Sequence, residues 1–201
     1  MRRLCVFDLD GTLIPYDSTR EIQKHIYKRT VYGLLQALVL YMMMRILRKT
    51  FRLPSFYHRL FESLFICYYF QKHPDKGINI LAMLILRGLT SRNTRYVWMH
   101  LRFCLENNGL VVILTKTLLP RYILELFFNK ILSSKNIKVF SEGICKSKCY
   151  YTPIEKEKMV IRLLGVSTFT PHLFASDNIN EVRLAKKFFR YVVYVKTSKN
   201  G

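Results

Sequence analysis

Four short apolar runs, separated by stretches of helical periodicity, constrain the fold of this chain most. The runs are Leu4–Phe7, Gly109–Leu114, His172–Ala175 and Tyr191–Val195. Continuous apolar runs of this length are typical of strands that are buried on both faces of a parallel sheet. The helical stretches include Leu118–Leu132, Met159–Leu164 and Glu181–Phe189. Strands that alternate with helices predict an α/β protein with a doubly wound, Rossmann-like parallel sheet.

The stretch between the first two runs breaks this alternation. Residues 18–107 show no convincing strand pattern, and they are helical by pattern and rich in aromatic side chains. We therefore expect an α/β core made of residues 1–17 and 108–201, with residues 18–107 as an inserted helical unit. Ile137–Tyr151 also interrupts the alternation of strands and helices, and we interpret it as a hairpin with Gly143 near its turn.

The net charge indicates which partners to expect. Lys and Arg number 33 against 13 Asp and Glu, a formal charge of +20. Such a charge attracts anionic partners, whether lipid head groups, nucleic acid or phosphorylated metabolites. It argues against a freely soluble enzyme that acts on a neutral substrate.

An uncharged segment inside the insert suggests where such a partner binds. Thr30–Met44 carries no charge over 15 residues, and nine cations but one acid lie between Arg20 and Arg59. The segment is shorter than the ~20 residues of a membrane-spanning helix. An apolar helix flanked by cations favours an anionic membrane surface. The alternative is a buried helix with a solvated basic rim.

The cysteines indicate the compartment. The chain has five, an odd number, and its N-terminal sequence leaves no room for the apolar region of a secretory signal. We therefore expect reduced thiols and a cytoplasmic location, at the inner face of the cell membrane if the insert binds lipid. Cys145 and Cys149 are closely spaced, but His172 stands alone, so we interpret the pair as packed thiols rather than a zinc site.

The strongest chemical signal follows the first apolar run. Asp8 and Asp10, then Gly11 and Thr12, stand where a buried strand would end. Two carboxylates without counter-charge would be costly there. Mg²⁺ would compensate them, since it binds carboxylates together with phosphate oxygens. Gly11 allows a sharp turn and close approach of a ligand to the backbone.

This pattern resembles the haloacid dehalogenase superfamily of phosphotransferases, whose four ordered motifs extend over the whole chain. The resemblance implies that Asp8 is the nucleophile and Asp10 the general acid/base. It implies that Thr115 hydrogen-bonds the transferring phosphoryl group, beside Lys116 where relatives often have a small residue. The implied phosphate-binding residues are Gly11, Thr12, Thr115, Lys116 and Lys156.

The last two motifs supply a cation and metal ligands. Lys156 and Lys158 both qualify as the lysine that neutralises the phosphoryl charge. We choose Lys156, because it shares the apolar face of its helix, whereas Lys158 is rotated off that face. The implied metal ligands are Asp8, Asp10, Asp177 and Glu181. Relatives usually have Asp at the last of these positions, so Glu181 either reaches the metal through water or orients Lys156.

The insert resembles the helical cap of the phosphoserine-phosphatase-like subfamily, and within it the membrane-associated phosphatidylglycerophosphatase C group. The resemblance implies a Mg²⁺-dependent phosphomonoesterase that acts on a lipid phosphate such as phosphatidylglycerophosphate. Two alternatives stay open. One is a phosphatase of a small soluble ester such as phosphoserine, and the other is a catalytically silent protein that binds anions. Nucleic acid is disfavoured as a partner, since no recognition motif for it is present.

Overall fold

The computed structural model describes residues 2–29, 55–142, 155–165 and 168–196, together with Val39, Met42 and Ile46. Most of the apolar segment Thr30–Met44 lies outside the described residues, as do Gly143, Cys145 and Cys149. No helix within the described ranges is long and apolar enough to cross a membrane.

Five parallel strands form one sheet, which confirms the α/β class. Their order across the sheet is β3-β2-β1-β4-β5. The strands are β1 (Arg2–Asp8), β2 (Leu110–Thr115), β3 (Ile137–Ser141), β4 (Phe169–Ser176) and β5 (Tyr191–Tyr194). The four predicted apolar runs therefore correspond to β1, β2, β4 and β5, with β4 beginning three residues before its run.

The segment predicted as a hairpin begins with β3, and its second arm lies outside the described residues. This strand pairs in parallel with β2, from Val111 opposite Ile137 to Thr115 opposite Ser141. Ile137 and Val139 are buried, whereas Lys138 between them is exposed. Such alternation occurs in an outer strand as readily as in a hairpin arm, so the pattern alone did not separate the two.

Helices connect the strands and fill the insert. In the described ranges they are α1 (Ser18–Arg29), α2 (Ser55–Lys72), α3 (Pro74–Thr90), α4 (Arg92–Glu106), α5 (Arg121–Leu132), α6 (Lys156–Leu164) and α7 (Ile179–Ala185). The last helix, α7, ends at Ala185 and is followed by turns. The sequence pattern had predicted that this helix continues to Phe189. Pro120 is the N-cap of α5 rather than part of its first turn.

Both faces of the sheet are covered. Phe7, Val111 and Leu173 belong to one core cluster, which also contains side chains from α1 to α5. Their neighbours along the strands belong to a second cluster, in which Val160 of α6 and Ala185 of α7 are buried. From β1 the chain proceeds to β2 and β3 on one side of the sheet, and the connecting helices cover the first face. It then returns to β4 and β5 on the other side of β1, and the helices there cover the second face. The strand order therefore reverses between β1 and β4.

The described part of the insert shares its core with the sheet. Ile22, Phe70 and Leu84, from three insert helices, are buried in the same cluster as Phe7. Trp98 of α4 donates its indole N–H to the carbonyl oxygen of Leu13 at 2.8 Å. The insert thus supports the loop that follows Asp10, and the division into core and cap stays a prediction.

Two cysteines depart from the expectation of reduced thiols. Cys5 of β1 and Cys104 of α4 form a disulfide between the sheet and the helix above it. Cys67 is a free, buried thiol. The prediction is therefore wrong for Cys5 and Cys104. The two cysteines are 99 residues apart, so no local pattern in the sequence indicates that they pair.

Candidate active site

Three polar strand ends meet at one edge of the sheet. Asp8, Thr115 and Ser176 are the last residues of β1, β2 and β4, and β1 lies between the other two strands. Ligands of open α/β sheets bind at the carboxyl ends of strands, where the strand order reverses. Asp8 and Ser176 flank that point, so the edge predicted to carry the chemistry is where the fold favours a site.

A tight loop carries the motif that follows Asp8. The backbone N–H groups of Leu13 and Ile14 both donate to the carbonyl oxygen of Leu9, each at 2.9 Å. Gly11 has a φ of 73°, which side chains with a Cβ rarely adopt. A Cβ at this position would also overlap the carboxylate of Asp177. Glycine is therefore required both for the turn and for the approach of Asp177.

We expect Gly11→Ala to destabilise the protein and to displace Asp177. Left-handed strain and the steric overlap together cost about 1–3 kcal/mol. Gly165→Ala is the matched control, since Gly165 has a φ of −69° and an added Cβ would meet its nearest atom at 3.5 Å. Urea unfolding of both variants measures the difference. Equal midpoints for the two variants would contradict the assigned role of Gly11.

Lys156 forms a buried ion pair with Asp8. Its Nζ lies 2.6 Å from Asp8 Oδ2 and 3.5 Å from Glu181 Oε1, and all three side chains are buried. Lys156 is the first residue of α6, and Val160 one turn later packs in the second core cluster. Lys158 instead pairs with Glu155 in solvent. The structure therefore places Lys156, and not Lys158, next to Asp8, and the role of Lys156 toward a phosphoryl group stays a prediction.

Glu181 is held in place by neighbours on the same loop and helix. The hydroxyl of Ser176 donates to Glu181 Oε2 at 2.8 Å and lies 3.4 Å from Asp8 Oδ2. Asn178 donates to Glu181 Oε1 at 3.4 Å and caps α7 by accepting from Asn180 N. Both oxygens of Glu181 are thus engaged beside Lys156. This geometry agrees with the alternative in which Glu181 orients Lys156.

Asp10 turns toward the start of the insert. The backbone N–H of Ser18, the first residue of α1, donates to Asp10 Oδ1 at 3.0 Å. The hydroxyls of Ser18 and Thr117 lie 2.6 Å apart, which joins the insert to the loop after β2. The N–H of Thr117 in turn donates to the hydroxyl of Thr115 at 3.1 Å. The hydroxyl of Thr115 is therefore part of a buried network that begins at Asp10.

A cavity of about 660 Å³ lies over these residues. The predicted site residues that line it are Asp8, Asp10, Gly11, Lys116, Lys156, Asp177 and Glu181. Thr12 and Thr115 do not line it, since both are fully buried. The Thr12 hydroxyl is buried without a hydrogen-bond partner within the part of the chain that the structure describes. A phosphate-binding role for these two threonines stays a prediction.

The site also contains residues for which the sequence predicted no catalytic or binding role there. Arg59 of α2 lines the cavity, donates to the carbonyl oxygen of Lys116 at 2.7 Å and pairs with Glu142 at 2.7 Å. The partners in these contacts are 57 residues or more apart in the sequence, so no local pattern predicts the contacts. Ser176 directly precedes Asp177 in the sequence, and its position at the end of a buried strand was the available signal.

Burial raises the pKa values of three carboxyls in the site, those of Asp8, Asp10 and Asp177. Burial raises the pKa of Asp8 to about 7, even though the neighbouring Lys156 lowers it. Burial likewise raises the pKa of Asp10 to about 6 and that of Asp177 above its usual range. Burial acts to lower the pKa of Lys156, but Asp8 and Glu181 outweigh it and the pKa rises. Among the residues that the structure describes, the site thus contains more acid than its one buried cation, Lys156, neutralises.

The donor chemistry of the cavity fits Mg²⁺. Three carboxylates that burial makes costly to ionise, those of Asp8, Asp10 and Asp177, line one space, and oxygen donors are what this ion prefers. Across the described ranges, however, no three acidic, His or Cys side chains already converge in ligating positions. Asp8, Asp10 and Asp177 are the residues that would hold the ion, with Glu181 engaged elsewhere.

Stability of the metal-free protein is expected to fall as the pH rises from about 4 to about 7. Asp8 and Asp10 have an ordinary pKa of 3.8 and folded values of about 7 and about 6, so folding takes up protons in this window. For Asp8 the loss amounts to about 4 kcal/mol. The raised pKa of Lys156 affects stability only above about pH 10, where the stabilisation provided by the charged ammonium group is lost.

Urea unfolding in EDTA across this pH range measures the effect. Asp8→Asn removes the carboxyl whose pKa burial raises to about 7, so its profile should be flatter than that of the unmodified protein and lie above it at pH 7. Parallel profiles for the two proteins would contradict the assignment of the raised pKa to Asp8.

Comparison with known proteins supports the fold. No protein-family model matches this chain, and no curated protein does. Its structure is similar to the crystal structure of a protein with unknown function from Bordetella pertussis Tohama I. The two are 17% identical over 96% of this chain and 90% of that chain, with a TM-score of 0.52. At this identity the likeness concerns the fold alone.

Proposed function

We propose that this chain is a haloacid dehalogenase-type phosphatase, a Mg²⁺-dependent phosphomonoesterase that uses Asp8 as its nucleophile. One observation carries the proposal. A buried lysine lies 2.6 Å from a carboxylate at the strand end where the sheet order reverses, with a second carboxylate two residues later in the same cavity. Carboxylate nucleophiles divide a difficult displacement into two easier ones, and a nearby acid assists both.

In the first step, an Asp8 carboxylate oxygen attacks the phosphorus of the substrate. A bond forms between that oxygen and phosphorus while the ester P–O bond breaks. The departing alkoxide takes a proton from Asp10, whose raised pKa of about 6 allows it to hold one near neutral pH. The products of this step are an alcohol and an aspartyl-phosphate at position 8.

In the second step, water attacks the phosphorus of the aspartyl-phosphate. Asp10, now ionised, takes a proton from the water as the new P–O bond forms. The bond between phosphorus and the Asp8 oxygen breaks, which releases inorganic phosphate and restores the carboxylate. Because Asp10 is held by Ser18 N at 3.0 Å, the insert positions the group that moves protons in both steps.

Lys156 supplies fixed positive charge throughout. It stabilises the ionised form of Asp8 before attack and faces the negative charge that the phosphoryl group brings. Glu181, which accepts from Ser176, keeps the ammonium group next to Asp8. Bound Mg²⁺ would add positive charge that favours ionised carboxylates and phosphoryl oxygens.

The proposed substrate is a lipid phosphate such as phosphatidylglycerophosphate at an anionic membrane. The uncharged segment 30–44 and the cations around it support this choice, as does the net charge of +20. In this proposal the helical insert is a substrate-selecting cap, and the protein acts at the cytoplasmic face of the membrane.

One observation favours a soluble phosphate ester instead. Arg20, Gln23 and Arg59 of the insert line the cavity, so the insert contributes polar side chains to its described walls. A small polar substrate would fit those walls, whereas a lipid would place only its head group among them. The chemistry at Asp8 is the same in both cases.

Phosphate release with Mg²⁺ and with EDTA tests the proposal, using phosphatidylglycerophosphate micelles, phosphoserine and para-nitrophenyl phosphate. We expect metal-dependent release that is fastest on the lipid. Release on the soluble esters alone would overturn the lipid substrate but keep the phosphatase. No release from any of the three would favour a catalytically silent anion-binding protein.

A further inference from the structure

A second cavity, of about 530 Å³, lies at the opposite part of the sheet from Asp8. Its walls are residues of α4 and of strands β1, β4 and β5, among them Arg3, His100 and His172, together with Arg190 just before β5. It shares no lining residue with the cavity at Asp8. Arg3 begins β1 and Asp8 ends it, so about 16 Å of strand separates them. We call this second cavity the basic groove.

Among the residues that the structure describes, the cations of the basic groove have no acidic counterpart. No Asp or Glu lines it, and within the described ranges neither Arg3 nor Arg190 forms an ion pair. Burial and the charges of Arg3 and Arg190 lower the pKa of His172. The groove is therefore a region of uncompensated positive potential, which an anion would neutralise.

A break in strand pairing places His172 at the groove. Leu4 pairs with Pro171 and the next residue, Cys5, pairs with Leu173, so His172 is an extra residue in β4. Such bulges redirect a side chain and are frequent beside functional sites. The Cys5–Cys104 disulfide ties α4 to β1 on this side, which fixes the helix that carries His100.

Aromatic and aliphatic side chains form the rest of the groove. Tyr191 and Phe103 are 47% and 50% exposed, so both residues are accessible to a ligand. The ring of His172 meets that of Tyr191 edge-on at 5.2 Å. The Arg190 guanidinium lies 5.3 Å from the centre of the Tyr191 ring. An arginine placed on an aromatic face keeps its N–H groups available for an anion.

We propose that the basic groove is a second binding site, for a small anion that carries a flat aromatic body. The arginines and histidines would bind its phosphate or carboxylate group, and Tyr191 and Phe103 would pack against its ring. The cavity volume lies within the range of small-molecule sites, and a nucleoside monophosphate is of suitable size and charge.

Titration with AMP in the presence of EDTA tests the proposal, followed by NMR of the imidazole groups. The chain has five histidines, and His172→Gln and His100→Gln assign the two resonances of interest. We expect AMP to shift both resonances saturably. Adenosine and inorganic phosphate, which each supply one half of the ligand, should bind at least tenfold more weakly than AMP.

Two variants distinguish binding of AMP in the basic groove from attraction by the overall positive charge of the protein. Arg3→Gln combined with Arg190→Gln should weaken AMP binding at least tenfold, since it removes two lining cations. Arg102→Gln is the control, because Arg102 is exposed on α4 and does not line the groove. Thermal unfolding of both variants verifies that they fold, and phosphate release by the double variant should be unchanged.

Three results would overturn the proposal. The first is the absence of any shift at His172 with millimolar AMP. The second is equal AMP affinity in the double variant and in Arg102→Gln. The third is binding of inorganic phosphate as tight as that of AMP, which would remove the aromatic body from the ligand. Because the readout is binding at His172, failure here leaves the proposed phosphatase activity unaffected.

Discussion

Asp8→Asn is expected to lower phosphate release on the order of a thousandfold or more. The amide that replaces the carboxylate is a poor nucleophile, so the aspartyl-phosphate cannot form. The fold should persist, because Asn fills the same volume at the end of β1 and the variant relieves a buried acid with a pKa of about 7. Steady-state assays with Mg²⁺ and circular dichroism of the same preparation measure the two effects.

Asp75→Asn is the matched control for this substitution. Asp75 lies in the first turn of α3, is exposed and does not line the cavity at Asp8. We expect its activity to equal that of the unmodified protein. If Asp8→Asn folded normally and kept full activity, the mechanism proposed for Asp8 would be wrong.

Lys156→Met is expected to reduce activity strongly and to destabilise the protein. The ammonium group lies between Asp8 and Glu181, and its loss leaves two buried carboxylates without a counter-charge. Breaking a buried pair from one side costs about 3–5 kcal/mol. Removal of a positive charge beside the phosphoryl group lowers the rate by about a hundredfold or more. Urea unfolding and phosphate release measure both effects.

Two comparisons separate these effects from general loss of charge. Lys158→Met removes a lysine two residues away whose ion pair is solvent-exposed, so its unfolding free energy should change by less than about 0.5 kcal/mol. Adding Asp8→Asn to Lys156→Met removes one of the two uncompensated carboxylates, so the double variant should be more stable than Lys156→Met alone. Equal destabilisation by Lys156→Met and Lys158→Met would contradict the buried pair.

The sequence was informative wherever a local pattern carried the signal. Apolar runs identified four of the five strands, and the residues after them identified the site edge, because parallel strands bring their carboxyl ends together. The helical spacing from Lys156 to Val160 distinguished Lys156 from Lys158. In each case the decisive neighbours lay within a few residues along the chain.

Contacts between distant segments could not be predicted in this way. Arg59 reaches the loop at Lys116, and Ser18 reaches Thr117, only because the insert packs on the first face of the sheet. The Cys5–Cys104 disulfide depends on the same packing. The parallel pairing of β3 with β2 was not predicted, because an outer strand with one polar residue between apolar ones does not differ locally from a hairpin arm.

Trapping the covalent intermediate tests the central claim most directly. Acyl phosphates are reduced by sodium borohydride, so a reaction quenched during turnover should yield homoserine at position 8, detected by peptide mass spectrometry. The account predicts this product at Asp8 with substrate and Mg²⁺ and its absence with EDTA. Turnover without any modification of Asp8, or with reduction at another carboxyl, would contradict the account.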